Sequence, residues 1–202
     1  MQPIILASTS TFRKSILEKL QIPFTTSTPD CDETPHKNET AISLVERLAI
    51  DKAKAVSTKH NDALIIGSDQ VAVLDNIILG KPHTHENAIK QLKNSSGKTV
   101  HFYTGLCLYN SQSNQFQSCV EIFEIEFKQL SHQQIENYLH QEKPYNCCGS
   151  FKSEALGITL FKRMKGDDPN TLIGLPLIKL VSMLENENID VLHYLMVDGK
   201  YT

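Results

Sequence analysis

The sequence predicts an α/β fold: a mixed, twisted sheet with flanking helices. Three observations carry this. Short apolar runs bounded by turn residues alternate with segments of helical periodicity along most of the chain. At least one pair of runs, "VAVL" and "IIL", is joined by Asp75-Asn76, a hairpin signal, so the sheet cannot be all parallel. The 202 residues suit one domain, or one domain with two lobes around a cleft, and suffice for a core without staples.

Pro3 to Ala7 reads as a short buried strand. It leads into "STSTFRKSILEKL", where Phe12, Ile16, Leu17 and Leu20 share a helical face and Ser10 is placed to cap the helix. Gln21 to Asp30 reads as a loop into a strand, ending in the acidic turn "PDCDETP". Asn38 to Lys59 reads as a long helix with Leu44, Val45, Leu48 and Ala55 on its inner face. Ala63 to Ile66 and Val71 to Leu74 read as two strands, with Asp69 just past the end of the first. His85 to Lys93 is a helix, closed by an "NSSG" break. Thr99 to Tyr109 is strand-like. So is "VEIFEIEF", with Phe123, Ile125 and Phe127 on one face and Glu124 and Glu126 on the other. Ser131 and Gln134 form a capping box for "QQIENYLHQE". "GITLF" reads as a strand and Pro176 to Leu184 as the last helix. The tail from residue 185 to 202 has no clear pattern.

Bulk properties exclude several classes. The net charge of -3 gives no field for wrapping nucleic acid or holding a membrane surface. No stretch approaches the ~20 apolar residues a spanning helix needs. The N-terminus lacks the basic start and long apolar run of a signal peptide. The five cysteines are odd in number and show no C-x-x-C spacing, so free thiols and a cytoplasmic setting are expected. "SSGKT" around Lys98 resembles a phosphate loop, but Leu92 stands where that motif needs glycine. The eight histidines show no metal-ligand spacing.

Five constellations could carry chemistry. In "ASTSTFR" a strand ends, Ser8 and Ser10 follow, and Arg13 sits in the first helical turn. Backbone N–H groups, hydroxyls and a guanidinium there suit phosphate, and they equally suit an ordinary serine cap. Asp69, flanked by Ser68 and Gln70, could hold a metal or deprotonate water, or simply cap the hairpin. Asp30, Asp32 and Glu33 offer hard oxygen ligands or a solvated loop. Lys52, four residues after Leu48 on the apolar side of its helix, and Lys81 in "ILGKP" could neutralise a polyphosphate or lie on the surface. "GSFKSEALG" carries Lys152 and Glu154 in a small-residue loop that could wrap a base or form a plain turn.

The order of these segments is more specific than any one of them. "ILASTSTFRKSILEKL", "PDCDETP", "VERLAIDKAKAV", "IIGSDQVAVLDNIILGKP", "FYTGLCLYN" and "GSFKSEALGITLFKRMKGDDPNTLIGLPL" together resemble the Maf-like family of nucleotide pyrophosphatases. The resemblance covers roughly residues 3 to 184. It implies a single Maf-like domain over 1–202, a fold similar to the inosine-triphosphate pyrophosphatases with a cleft between two lobes, and cleavage of a nucleoside triphosphate between its α- and β-phosphates. It also implies a divalent cation, Mg²⁺ or Mn²⁺, and is compatible with a homodimer.

Family members acting on dTTP and UTP carry "SPRR", "ADT" and a late-loop glutamine. This sequence has Phe12, Gln70 and Glu154 at those places, which is similar to the branch acting on 7-methyl-GTP. An aromatic ring suits a cationic methylated purine. A carboxylate suits the N–H edge of guanine and opposes the carbonyls of thymine. The resemblance therefore implies Asp69 as proton acceptor and metal contact, and Glu33 as a second metal candidate. It implies a triphosphate grip by Ser8, Ser10, Arg13, Lys52 and Lys81, and base selection by Phe12, Gln70 and Glu154. Two other readings remain: a dTTP/UTP pyrophosphatase of the same family, and a non-enzymatic regulator of septum formation.

Overall fold

The computed structural model describes residues 2–193; the end of the tail, 194–202, lies outside them. Seven strands form one mixed sheet. Strand β1 (Ile4–Ala7) pairs in parallel with β2 (Thr25–Ser27) and with the start of β3 (Leu64–Leu74). The end of β3 pairs antiparallel with β4 (Ile77–Leu79). With β5 (Thr99–Asn110), β6 (Gln115–Phe127) and β7 (Phe161–Lys165), the order is β2-β1-β3-β5-β6-β7. The helices are α1 (Thr11–Leu17), α2 (Ala41–Ser57), α3 (His85–Ser95), α4 (His132–Glu142), α5 (Pro169–Ile173) and α6 (Leu177–Asn186). The α/β class with a mixed sheet is as expected. Among the described residues no helix is long and apolar enough to cross a membrane.

The chain forms two compact units. One holds the chain up to Asp69, with Thr104–Glu121 and the segment from Gly174 on; the other holds Gln70–Tyr103 and Ile122–Ile173. The first has a core of Ile5, Ala49, Ala53, Val56, Ile65, Cys107 and Tyr109. The second packs Phe102, Phe127, Phe151 and Phe161 edge to face, with ring centroids 4.8 to 5.7 Å apart.

Several local expectations need correction. Ala63–Ile66 and Val71–Leu74 are not two strands: β3 runs unbroken from Leu64 to Leu74, so Asp69 lies inside a strand rather than past its end. The polar "GSDQ" interrupts the apolar pattern without interrupting the backbone. Because β1 covers Leu64–Ile66 and β4 covers Ala72–Leu74, Asp69 sits in the stretch between those pairings. "GITLF" is not a strand either. Leu156–Leu160 form a 3₁₀ turn, and β7 starts at Phe161. A Cβ on Gly157 would stand 2.3 Å from the Lys152 carbonyl oxygen, so the loop closes on itself there. In α1, Ile16 and Leu17 are buried but Phe12 is exposed. In α2 the inner face is completed by Ala53 and Val56, while Ala55 is half-buried.

Candidate functional site

Helix α2 lies directly on the sheet because two positions carry no side chain. A Cβ on Gly67 of β3 would stand 2.0 Å from the Ala49 carbonyl oxygen, and one on Gly105 of β5 would stand 2.1 Å from that of Val45. This close approach brings Lys52, on the buried face of α2, to Asp69 on β3. The Lys52 ammonium donates to Asp69 Oδ1 at 2.7 Å and to Glu33 Oε2 at 3.0 Å. Asp69 is 8 % exposed and Lys52 5 %, whereas Glu33 stands at the surface. A charge this deep is stable only with a partner, and each has one.

The loop that supplies Glu33 is itself fastened. Arg47 grips Glu39 with both edges of its fork, Nε to Oε1 at 2.7 Å and Nη2 to Oε2 at 2.8 Å, and reaches the Thr34 carbonyl at 3.2 Å. These bonds, with the His36 backbone N–H, hold the Glu39 carboxyl down to about 2. Asp32 caps the Thr34 N–H at 2.9 Å, and that turn pulls its carboxyl below the usual range.

At the start of α1, Ser10 caps the helix as expected, accepting from the Arg13 N–H at 3.3 Å. Ser8, buried, accepts from the Ser10 N–H at 3.1 Å. Arg13 Nε donates to the Gly174 carbonyl at 2.9 Å. The Ser68 hydroxyl contacts that same carbonyl at 3.0 Å and the Gly105 carbonyl at 2.8 Å. Ser68 precedes Asp69, so one oxygen on Gly174 ties the serine-rich turn to the acidic strand. Gly174 has φ +120°, a backbone state that favours glycine. Its part could not be read from the sequence, because a carbonyl carries no residue-type signature.

The second unit holds Gln70, Lys81 and Glu154. The Gln70 side-chain nitrogen donates to the carbonyls of Thr171 and Leu172 at 2.8 and 3.1 Å, which orients its amide. Lys81 and Glu154 are both exposed. Both act electrostatically on Cys147, whose thiol is pushed up chiefly by burial. Ser153 donates to Glu154 at 3.3 Å. Within the first unit, then, Glu33, Lys52 and Asp69 come together and Ser8, Ser10 and Arg13 come together. Phe12 extends from the exposed side of α1.

The chemistry of the acidic cluster suits a hard divalent ion. Two carboxylate oxygens converge on one ammonium, and Mg²⁺ needs only one or two protein carboxylates when substrate phosphates complete its shell.

Residues 3–187 match the family described as Maf-like protein. The chain is 60% identical over 192 residues to the 7-methyl-GTP pyrophosphatase of Colwellia psychrerythraea, covering 95% of this chain and 96% of that one. It is 51% identical to the 7-methyl-GTP pyrophosphatase of Vibrio parahaemolyticus, over 94% of this chain and 97% of that one. Among solved structures, the Ham1 protein of Staphylococcus aureus is similar at 15% identity, over 63% of this chain and 73% of that one, with a TM-score of 0.47.

Proposed function

We propose that this chain, which belongs to the Maf-like protein family, is a nucleoside triphosphate pyrophosphatase that hydrolyses 7-methyl-GTP to 7-methyl-GMP and pyrophosphate. Relatives that bear that activity in their names share half or more of the sequence over nearly its full length. The single structural observation that supports it best is the buried Lys52–Asp69 pair, joined by the surface carboxylate of Glu33 and tied through Ser68 and Gly174 to Arg13.

In this reading Asp69 accepts the proton of the attacking water. The water oxygen bonds to the α-phosphorus, the bond to the bridging oxygen breaks, and pyrophosphate leaves. Lys52 holds one oxygen of Asp69, which fixes the carboxylate in place. Arg13, Lys52, Lys81, Ser8 and Ser10 neutralise and orient the phosphates as charge moves onto the leaving group. Asp69 and Glu33 would hold a Mg²⁺ or Mn²⁺, which when bound polarises water and offsets phosphate charge. Phe12, Gln70 and Glu154 select the base. The unpaired cysteines suit a reducing compartment, and we place the reaction in the cytoplasm.

The test is pyrophosphate release from 7-methyl-GTP, GTP, UTP and dTTP by wild type and Asp69→Asn. Turnover should peak on 7-methyl-GTP and fall roughly 10²-fold or more in the variant. A peak on UTP or dTTP would reassign the substrate. Release unaffected by the substitution would remove Asp69 from the chemistry.

A further inference from the structure

We propose that His85, Glu136 and His140, in the second unit, form a site for a borderline transition-metal ion such as Zn²⁺, separate from the Mg²⁺-type site assigned to Asp69 and Glu33. Glu136 and His140 are one turn apart on α4, and His85 is the first residue of α3. One donor atom from each can be chosen so that all lie within 4.8 Å of one another. His85 Nε2 is 2.8 Å from Glu136 Oε2, and His140 Nε2 is 3.6 Å from the same oxygen. Bonds of about 2.0–2.2 Å to a shared ion require only small side-chain rotations from this starting geometry.

The donor set decides the class of ion. Two imidazoles and one carboxylate suit Zn²⁺, Co²⁺ or Ni²⁺, whereas Mg²⁺ and Ca²⁺ prefer oxygen alone. The support around it fits as well. His85 Nδ1 is 2.9 Å from the Tyr145 hydroxyl. If that nitrogen carries the proton and donates to the tyrosine, Nε2 keeps its lone pair for a metal. His132 stands 3.6 Å from the other oxygen of Glu136. His85 and Glu136 are about a quarter exposed and His140 73 %, so solvent can reach the ion and fill a fourth position.

The experiment is equilibrium dialysis of the untagged chain against Zn²⁺, with the visible absorption of bound Co²⁺ as a second readout. Wild type, His140→Ala, His85→Ala and Asp69→Asn are compared in excess Mg²⁺. His140 is exposed, so His140→Ala should fold. The expected result is one equivalent of Zn²⁺ that Mg²⁺ does not displace. It is retained in Asp69→Asn and bound at least roughly tenfold more weakly in both histidine variants. His140→Ala should keep its Mg²⁺-supported pyrophosphate release, and Zn²⁺ should raise the melting temperature of wild type but not of this variant. Equal Zn²⁺ binding by wild type and His140→Ala would overturn the site, as would a single equivalent lost in Asp69→Asn.

Discussion

Lys52 is shared between two carboxylates, one buried and one at the surface. Its place was legible, since it falls four residues after Leu48 on the apolar side of a helix. Asp69 was legible as an acid beside a buried run, but its position inside β3 was not. Alternation cannot mark a strand where both faces become polar for four residues. The histidine cluster was not read from the sequence: Glu136 and His140 are four residues apart on one helix, but His85 lies 51 residues before Glu136 and only the fold brings it there. Glu154 offers a clean test at this scale. It is exposed and, among the described residues, accepts a single long bond, from its neighbour Ser153. Glu154→Gln should therefore leave stability unchanged. It should lower the kcat/KM preference for 7-methyl-GTP over UTP by about tenfold, the worth of a hydrogen bond to a charged group. Kinetics on the two substrates reads this directly, and an unchanged ratio removes Glu154 from base selection.

At the scale of elements, α2 is placed by what β3 and β5 lack. Gly67→Ala would drive a methyl group into the Ala49 carbonyl. Relieving that overlap should cost about 1–3 kcal/mol in chemical denaturation. Because it lifts Lys52 away from Asp69, it should also cut turnover; a variant with normal stability would mean the backbones separate freely. The loop before α2 adds a pH dependence. The Glu39 carboxyl is held at about 2, below its ordinary 4.5, so the clamp stabilises the fold fully above pH 4.5 and is lost as pH falls toward 2. Denaturation midpoints across this range should fall more steeply for wild type than for Glu39→Gln. Equal slopes would show that the clamp contributes nothing. The capping boundaries of α1 and α4 were legible because caps are local chemistry. β7 was not, since "FKRMK" is a strand through its antiparallel register with β6, Met164 opposite Ile125 and Lys165 opposite Glu124, not through an apolar run.

For the whole molecule, the α/β class could be read from alternation, but the composition of the two units could not. Each gathers segments distant in sequence, the chain passes between them at Asp69–Gln70, Tyr103–Thr104, Glu121–Ile122 and Ile173–Gly174, and no linker composition marks these passages. Packing shows in the thiols. Burial pushes Cys107 up to about 12 and Cys119 to about 11, and raises Cys31 and Cys147 as well. Near pH 8 almost no thiolate should exist at Cys107 or Cys119, so an aromatic disulfide reagent should label neither until denaturant is added. Mass mapping of labelled peptides checks this, and rapid labelling of Cys107 in the native protein would show that the first core opens readily.

The short strand β4 has a consequence for behaviour at high concentration. It pairs with β3 over only three residues, and two of its isoleucines, Ile77 and Ile78, are exposed. An exposed apolar strand invites a neighbouring copy to extend the ladder, and fibres begin that way. Here the chain passes at once to Gly80, Lys81 and Pro82. A charge repels stacked copies and proline offers no N–H, so the segment after β4 resists lengthening of that ladder.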